Sequence, residues 1–421
     1  MSDLLRHDVV VVGAGPAGLA AAWAAASRGK RVALLDDNLA AGGQIWHANS
    51  EESLPPPAKR WLAKLRKTSC EIFTRTAVVA RPSPDKLLAE TADGALRFGF
   101  DKLVLATGSR ELFLPFPGWT LPGVYGLGGL QSLVKSGLSV AGKHIIVAGT
   151  GPLLLPAAAF LRQRGAEILC IVEQAPPARI FRFGFRLLSH PSMLATGLAL
   201  RARLVHVPYD TGWFPVRAEG DGKVTSVTLT NDLRERTYDC DMLACGFGFV
   251  PNIELSLLLG CELDRGFVRI TDKMETSVPN IFCAGDAAGI GGAEAAIVRG
   301  LIAGAAAAGA TPAPHLLFSN RRWRRFERRL ARIFALRREI HNETGEDTPV
   351  CRCEDVTLRN LRRYDSWREA KLQTRIGMGS CQGRICGPAC QHLFGWRNDS
   401  IRPPVLPARV DTLIEARKKN P

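Results

Sequence analysis

Residues 8–36 read DVVVVGAGPAGLAAAWAAASRGKRVALLD. Val9–Val12 is a run of four β-branched residues, fit for a strand covered on both faces. Gly13, Gly15 and Gly18 follow at G-x-G-x-x-G spacing. A small-residue helix is then predicted over roughly 16–28, and a second apolar strand, Arg31–Leu35, ends at Asp36, 18 residues past the third glycine. Each part has a physical task. Gly13 permits the sharp turn, Gly15 lets backbone approach a pyrophosphate, and Gly18 lets helix and strand pack closely. The helix start, with Pro16 and Ala17, offers unpaired N–H groups and about half a positive charge to phosphates. Asp36, with Asp37 beside it, is placed to accept hydrogen bonds from a ribose hydroxyl. A glycine-rich structural turn alone would not need both strands and the acid.

Residues 9–26 carry no charge, but three glycines and Pro16 interrupt them, and no basic leader with a small-residue cleavage site precedes them. Neither a membrane span nor a signal peptide is expected.

Further along, Leu103–Gly108 is a strand running into A-T-G (Ala106, Thr107, Gly108), and residues 276–286 read TSVPNIFCAGD. With the first glycine fingerprint, these segments resemble the two-dinucleotide-domain flavoproteins of the glutathione-reductase-like fold. That resemblance implies an α/β chain whose first fingerprint binds FAD. It also implies that the A-T-G segment passes near the cofactor and that Gly285-Asp286 holds its ribityl or phosphate region. Gly42, Gly43 and Gln44 match the family's G-G-Q segment beside the flavin, and His47 lies three residues beyond. The likeness spans roughly residues 8–310.

Residues 143–173 repeat the architecture imperfectly. A strand over Lys143–Ala148 leads to Gly149-Thr150-Gly151-Pro152-Leu153-Leu154, so leucine stands where the third glycine should be. Looser or shifted helix packing follows, with Pro152 and Pro156 expected in the first helical turn, where a missing N–H costs little. Glu173, ending the next strand, suits a ribose 2′-hydroxyl, whereas Arg179 and Arg182 just beyond suit a 2′-phosphate. The sequence leaves three occupants open for this fold: NAD(P)H, an adenine nucleotide such as ATP, or nothing. No redox C-x-x-C occurs in residues 1–320, which disfavours disulfide-reductase chemistry.

The C-terminal third brings a different pattern. Cys351 and Cys353 in V-C-R-C-E are followed, after 27 intervening residues, by Cys381 and Cys386 in C-Q-G-R-I-C. Four thiolates suit zinc or an iron–sulfur cluster. Gly377, Gly379 and Gly383 bracket the second pair and allow amide N–H groups to turn toward sulfur. The spacing resembles the [2Fe–2S] domain of bacterioferritin-associated ferredoxin, which implies these four cysteines as ligands. Cys390 falls outside the pattern and reads as a buried helix residue.

The 421 residues carry a net charge of +15, which permits anionic partners and selects none. Eleven cysteines are too few for a disulfide scaffold of this size, and a reduced, cytoplasmic protein is expected. Residues 320–339 hold nine arginines interleaved with Trp323, Phe326, Leu330, Ile333 and Phe334, an amphipathic helix. Packing on the chain or a partner is the expectation, with peripheral contact at the inner membrane left open. No nucleic-acid module accompanies it.

The full order of motifs, above all C-R-C-E and C-Q-G-R-I-C with G-G-Q-I and G-T-G-P-L-L-L-P, is similar to the α (A) subunits of heteromeric amine and amino-acid dehydrogenases. These are of the opine oxidase, hydrogen cyanide synthase, dye-linked proline and D-hydroxyproline dehydrogenase type. The resemblance implies an electron-transfer role for this chain. Oxidation of the C–N bond would fall to a FAD-containing, amino-acid-oxidase-like β subunit, with a small γ ferredoxin-like subunit as a further candidate partner. The alternative is a self-sufficient NAD(P)H-dependent FAD/iron–sulfur reductase. No catalytic base stands out among eight scattered histidines. The expected layout is a FAD domain over 1–117 and 246–318, an inserted nucleotide domain over 118–245, a basic linker helix over 319–345, a [2Fe–2S] domain over 346–400 and a tail over 401–421.

Overall fold

The computed structural model describes residues 4–188, 191–397 and 401–417. The chain begins β1 (Leu4–Val12), α1 (Pro16–Ala26), β2 (Val32–Leu35), α2 (Pro56–Leu65), β3 (Cys70–Phe73), β4 (Ala77–Ser83), β5 (Lys86–Thr91) and β6 (Gly94–Leu105). It continues β7 (Val124–Gly126), α3 (Leu127–Lys135), β8 (His144–Gly149), α4 (Leu154–Gln163), β9 (Glu167–Glu173), α5 (Pro177–Leu187), α6 (Pro191–Arg203) and β10 (Tyr209–Thr211). Then come β11 (Phe214–Glu219), β12 (Ser226–Thr230), β13 (Glu235–Asp239), β14 (Met242–Gly246), β15 (Ile281–Cys283), α7 (Gly292–Ala307) and α8 (Pro314–Ile333). The C-terminal part adds β16 (Pro349–Cys351), β17 (Val356–Thr357), α9 (Trp367–Thr374), α10 (Cys386–Phe394) and α11 (Val410–Arg417).

Two compact units result. The first takes residues 1–110, 251–328 and 399–421; the second takes 111–250 and 329–398. In the first, the sheet order is β3-β2-β1-β6-β5-β4, with β15 beside β6. The β3-β2-β1-β6-β15 part is parallel, and its β1 and β2 residues Val9–Val11 and Val32–Leu35 are fully buried, as strands with both faces covered must be. Helices α1 and α7 cross at unusually short range. A Cβ on Gly300 would lie 2.1 Å from the Ala17 carbonyl oxygen, and one on Gly304 would lie 2.1 Å from that of Ala21. Only glycine admits such an approach.

Residues 401–417, which the sequence alone leaves as a tail, belong to this unit. Val405 donates its N–H to Val79 O at 2.9 Å, Leu406 and Ala408 pack against Val79 and Leu88, and Arg409 meets Glu90.

The second unit contains a parallel sheet of order β10-β9-β8-β14-β7 and an antiparallel β11-β12-β13 sheet. Its helix α4 starts at Leu154, so Pro152 precedes the helix rather than entering it, and only Pro156 lies in the first turn. Leu154, at the position of the third glycine, is fully buried in the core of this unit. The arginine-rich helix also differs from its predicted span, running Pro314–Ile333 and leaving Phe334–Arg337 non-helical.

Candidate functional site

The first fingerprint is assembled by three close approaches. Gly13 has φ +102°, and a Cβ there would strike Ala106 O at 2.2 Å, so the turn is pressed against the end of β6. Gly18 is excluded from bearing a side chain by Gly13 O, 1.7 Å from its would-be Cβ. Gly15 differs: its missing Cβ faces only Gly43 Cα, at 3.8 Å. Gly13 and Gly18 are required by these contacts, whereas a methyl group on the middle glycine would meet Gly43 at an ordinary distance. Gly15 is the N-cap of α1, Pro16 occupies the first turn, and Leu19 N–H makes the first bond back to Gly15 O, leaving the amides of Ala17 and Gly18 unpaired by the helix.

The other expected segments converge here. Gly42 donates its N–H to Ala14 O at 2.8 Å, which brings Gly43 opposite Gly15; a Cβ on Gly43 would come 2.8 Å from Gly15 Cα. Gln44 is exposed just beyond, and His47 half-buried. Gly285, at φ +76°, lies against the start of α1, its would-be Cβ 2.8 Å from Ala17 Cβ. The next residue, Asp286, is half-buried and accepts from Ser109 Oγ at 2.8 Å. Burial pushes its carboxyl above the usual range, against the pull of the Ser109 hydroxyl and the Arg299 charge.

Two expected ligands are engaged by the protein itself. Asp36 is buried; one carboxylate oxygen accepts from the Ala14 amide and the other from Asn38 N–H at 2.9 Å and Asn38 Nδ2 at 2.7 Å. Its neighbour Asp37 is exposed. Thr107 donates its hydroxyl to Asn252 O at 2.7 Å, and Asn252 returns bonds to Thr107 O and Gly108 O at 2.9 and 3.0 Å. Gly108, at φ +68°, would meet nothing through a Cβ. Beyond the ends of β2 and β3 lies a cavity of 330 Å³, lined by Leu39, Ala40, Ala41, Leu62, Ile72, Thr74 and Glu51.

Sequence reasoning missed Arg299. It is 1% exposed and bonds to Gly289 O, to Asn320 Oδ1 at 3.2 Å and to Glu327 Oε2 at 2.5 Å. Asn320 and Glu327 belong to the arginine-rich helix, so that helix turns a polar contact inward toward the unit that carries Asp286. The signal was available: a lone arginine inside the apolar run A-I-V-R-G-L-I-A-G.

In the second unit Gly149 repeats the role of Gly13: φ is +144° and a Cβ would meet Gly246 O at 2.0 Å. Glu173 is fully buried and points back into its own loop. It accepts from Gly151 N–H at 2.7 Å, Ala175 N–H at 2.9 Å and Thr150 Oγ1 at 2.9 Å. Burial pushes this carboxyl up to about 7, less the effect of those three donors.

The four C-terminal cysteines come together. Cys386 lies beside both Cys351 and Cys381 with one S–H to share between them, and Cys353 contacts Cys381. The bond from Cys386, aided by the amides of Gly377, Glu354 and Cys353, holds Cys351 down at about 6. The neighbouring Cys386 thiol, aided by the amides of Ile385 and Gly383, likewise holds Cys381 down, at about 4. Cys386, the donor, is raised correspondingly. Glycine is required throughout: a Cβ on Gly379 would lie 2.3 Å from Cys353 Cβ, and one on Gly377 or Gly383 would meet the Trp367 ring at 2.6 or 3.1 Å. Cys390 is buried in α10, as expected. Among the described residues, no three His, Cys, Asp or Glu side chains are arranged around one metal ion.

Comparison with known proteins places the chain in a family. The family described as pyridine nucleotide-disulphide oxidoreductase matches residues 7–309. Hydrogen cyanide synthase subunit HcnB of Pseudomonas aeruginosa is 33% identical, over 92% of this chain and 94% of that protein. An opine oxidase subunit of Agrobacterium tumefaciens is 31% identical, over 97% and 91%. Among solved structures, L-proline dehydrogenase from P. horikoshii superposes with a TM-score of 0.68 at 20% identity, over 98% of this chain and 81% of that one. Thioredoxin reductase of T. acidophilum matches the fold over 75% of this chain and 99% of that one, with a TM-score of 0.54 at 22% identity.

Proposed function

Since the chain belongs to the pyridine nucleotide-disulphide oxidoreductase family, we propose that it is the electron-transfer α subunit of a heteromeric amine or amino-acid dehydrogenase. It is an FAD-dependent oxidoreductase. In the proposed reading it holds FAD in the first unit and a [2Fe–2S] cluster on Cys351, Cys353, Cys381 and Cys386. A FAD-containing, amino-acid-oxidase-like β subunit oxidises the C–N bond of an opine, proline, hydroxyproline or glycine-class substrate. Hydrogen cyanide synthase subunit HcnB and the opine oxidase subunit, both similar to this chain over nearly its whole length, support a partner.

The carrying observation is the convergence of Gly15, Gly43, Ala17 and Gly285 at the start of α1, joined in the same chain to four clustered cysteines. The missing Cβ atoms let Gly43 and Gly285 close on the start of α1, whose unpaired amides suit a pyrophosphate, which fits FAD. Four grouped sulfurs, two of them held toward the thiolate by the Cys386 thiol and by backbone amides, fit an iron–sulfur group. Bound FAD exchanges two electrons or one, and a [2Fe–2S] cluster exchanges one, which is the chemistry of a relay. In the first unit the residues would bind and orient: the α1 amides would hold the phosphates, and Asp286, braced by Ser109, would supply an acceptor nearby. In the second, Gly377, Glu354, Gly383 and Ile385 aim N–H groups at sulfur and so set the charge balance there. No described side chain in either place is arranged as a base toward an amine.

Flavin, iron and acid-labile sulfide analysis of anaerobically prepared protein tests this. One flavin with two irons and two sulfides per chain is expected. Cys353→Ser should lower iron and sulfide together, whereas Cys390→Ser should leave both. Zinc without sulfide, or a loss caused by Cys390→Ser alone, sinks the cluster reading.

A further inference from the structure

In an open parallel sheet, ligands bind beyond the carboxyl ends of the strands, where the strand order reverses. In the second unit that point lies at the end of β8, with β9 on one side and β14 on the other. The donors expected there are the amides of the 149–151 loop and the polar groups following β9. Those described here are turned toward the protein instead. Gly151 N–H is consumed by Glu173. Thr150 Oγ1 lies 2.9 Å from Glu173 Oε1 and 3.3 Å from Phe334 O. Gln174, fully buried, donates to Thr150 Oγ1 at 2.9 Å and to Ala335 O at 3.3 Å. Arg179, well suited to a 2′-phosphate, donates to Ala335 O at 3.2 Å.

Phe334–Arg337 therefore runs across the crevice, and both ends are fastened. The Phe334 ring meets Phe183 of α5 edge-on at 5.1 Å. Arg337 donates its N–H to Gln174 Oε1 at 3.1 Å, Nη1 to Gly212 O at 3.0 Å and Nη2 to Asp232, with its guanidinium 5.3 Å from the Phe214 ring. Backbone carbonyls of the strap take the hydrogen bonds that a nucleotide's phosphate and ribose oxygens would accept.

We propose that Phe334–Arg337 is a built-in plug that occupies the second nucleotide crevice in place of a dinucleotide, so that seating of the plug and binding of NAD(P)H or ATP exclude one another. This disagrees with the nucleotide that the fold would otherwise imply for this domain, and it goes beyond the relay reading without depending on flavin or cluster content. The affinity for a nucleotide is divided by the fraction of molecules with the plug open; at about 1% open, the apparent Kd rises about 100-fold.

The test uses the full chain as purified, titrated separately with NADH, NADPH and ATP by equilibrium dialysis, with hydrogen exchange followed over residues 330–340. Wild type should show slow exchange there and no saturation up to about 1 mM of any of the three. Arg337→Ala, which removes the side-chain anchors of a partly exposed position, should speed exchange and lower the apparent Kd at least tenfold. Gln174→Ala should do the same; if it fails to fold, Arg337→Ala decides alone. Saturable binding to wild type with a Kd below about 100 μM overturns the proposal. So does an Arg337→Ala protein whose plug exchanges freely and yet binds none of the three.

Discussion

At the scale of single residues, the first fingerprint separates three glycines that look equivalent in sequence. Gly13→Ala must place a methyl 2.2 Å from Ala106 O on a backbone at φ +102°, so loss of folding is expected. Gly15→Ala has 3.8 Å to Gly43 and ordinary φ, so it should fold and lose flavin instead. Flavin absorbance per chain and Tm, measured on both variants, should therefore split: low Tm for the first, near-native Tm with depleted flavin for the second. Equal loss of both quantities in both variants would contradict the assignment. Glu173 offers a second residue-scale outcome. Its folded pKa of about 7 lies above the ordinary 4.5, so the native state holds the extra proton between those values. Stability contributed by this group is complete below about 4.5 and is lost as pH rises through about 7. The size is ~3 kcal/mol over the window, an order-of-magnitude figure. Glu173→Gln is isosteric with the neutral acid, so its Tm should fall less than wild type between pH 5 and pH 8. Parallel Tm curves for the two proteins would refute the shift.

At the scale of elements, what was legible follows from what repeats. The β1–α1–β2 unit announces itself because apolar strands, small-residue helix and glycine turn each have a local signature. The partial second fingerprint was legible for the same reason, although α4, expected to take Pro152 into its first turn, begins two residues past it. The end of the arginine-rich helix at Ile333 was not legible, because what takes over there are main-chain carbonyls of Phe334 and Ala335 bonded to distant side chains, and carbonyls carry no sequence signal. The crossing of α1 and α7 was equally hidden: Gly300 and Gly304 matter only because Ala17 and Ala21 oppose them. A bulkier residue there must push the helices apart. Gly304→Val is expected to cost about 2–3 kcal/mol, read as a lower Tm, and to loosen Ala17 from Gly285 with loss of flavin. A variant of unchanged Tm and flavin content would show that the crossing is not as close as 2.1 Å implies.

At the scale of the whole molecule, three features bear on the direction of electron flow. The first unit has a cradle for a dinucleotide; the second has the same fold with its crevice crossed by Phe334–Arg337; the C-terminal third has a cluster of four cysteines. A self-sufficient reductase must admit NAD(P)H to reduce its flavin, and the strap removes the natural place for it. A chain fed by a partner needs no such place. The isolated chain, mixed anaerobically with NADH or NADPH, should therefore keep its oxidised flavin spectrum over minutes. Mixed with proline, hydroxyproline, glycine or an opine it should do the same. Adding the co-expressed β subunit should bleach the flavin with one of those substrates, and the visible cluster absorbance should change with it. Rapid flavin reduction of the isolated chain by NADH would reverse the reading and make it a reductase, whereas bleaching by an amine without any partner would move the oxidising site onto this chain.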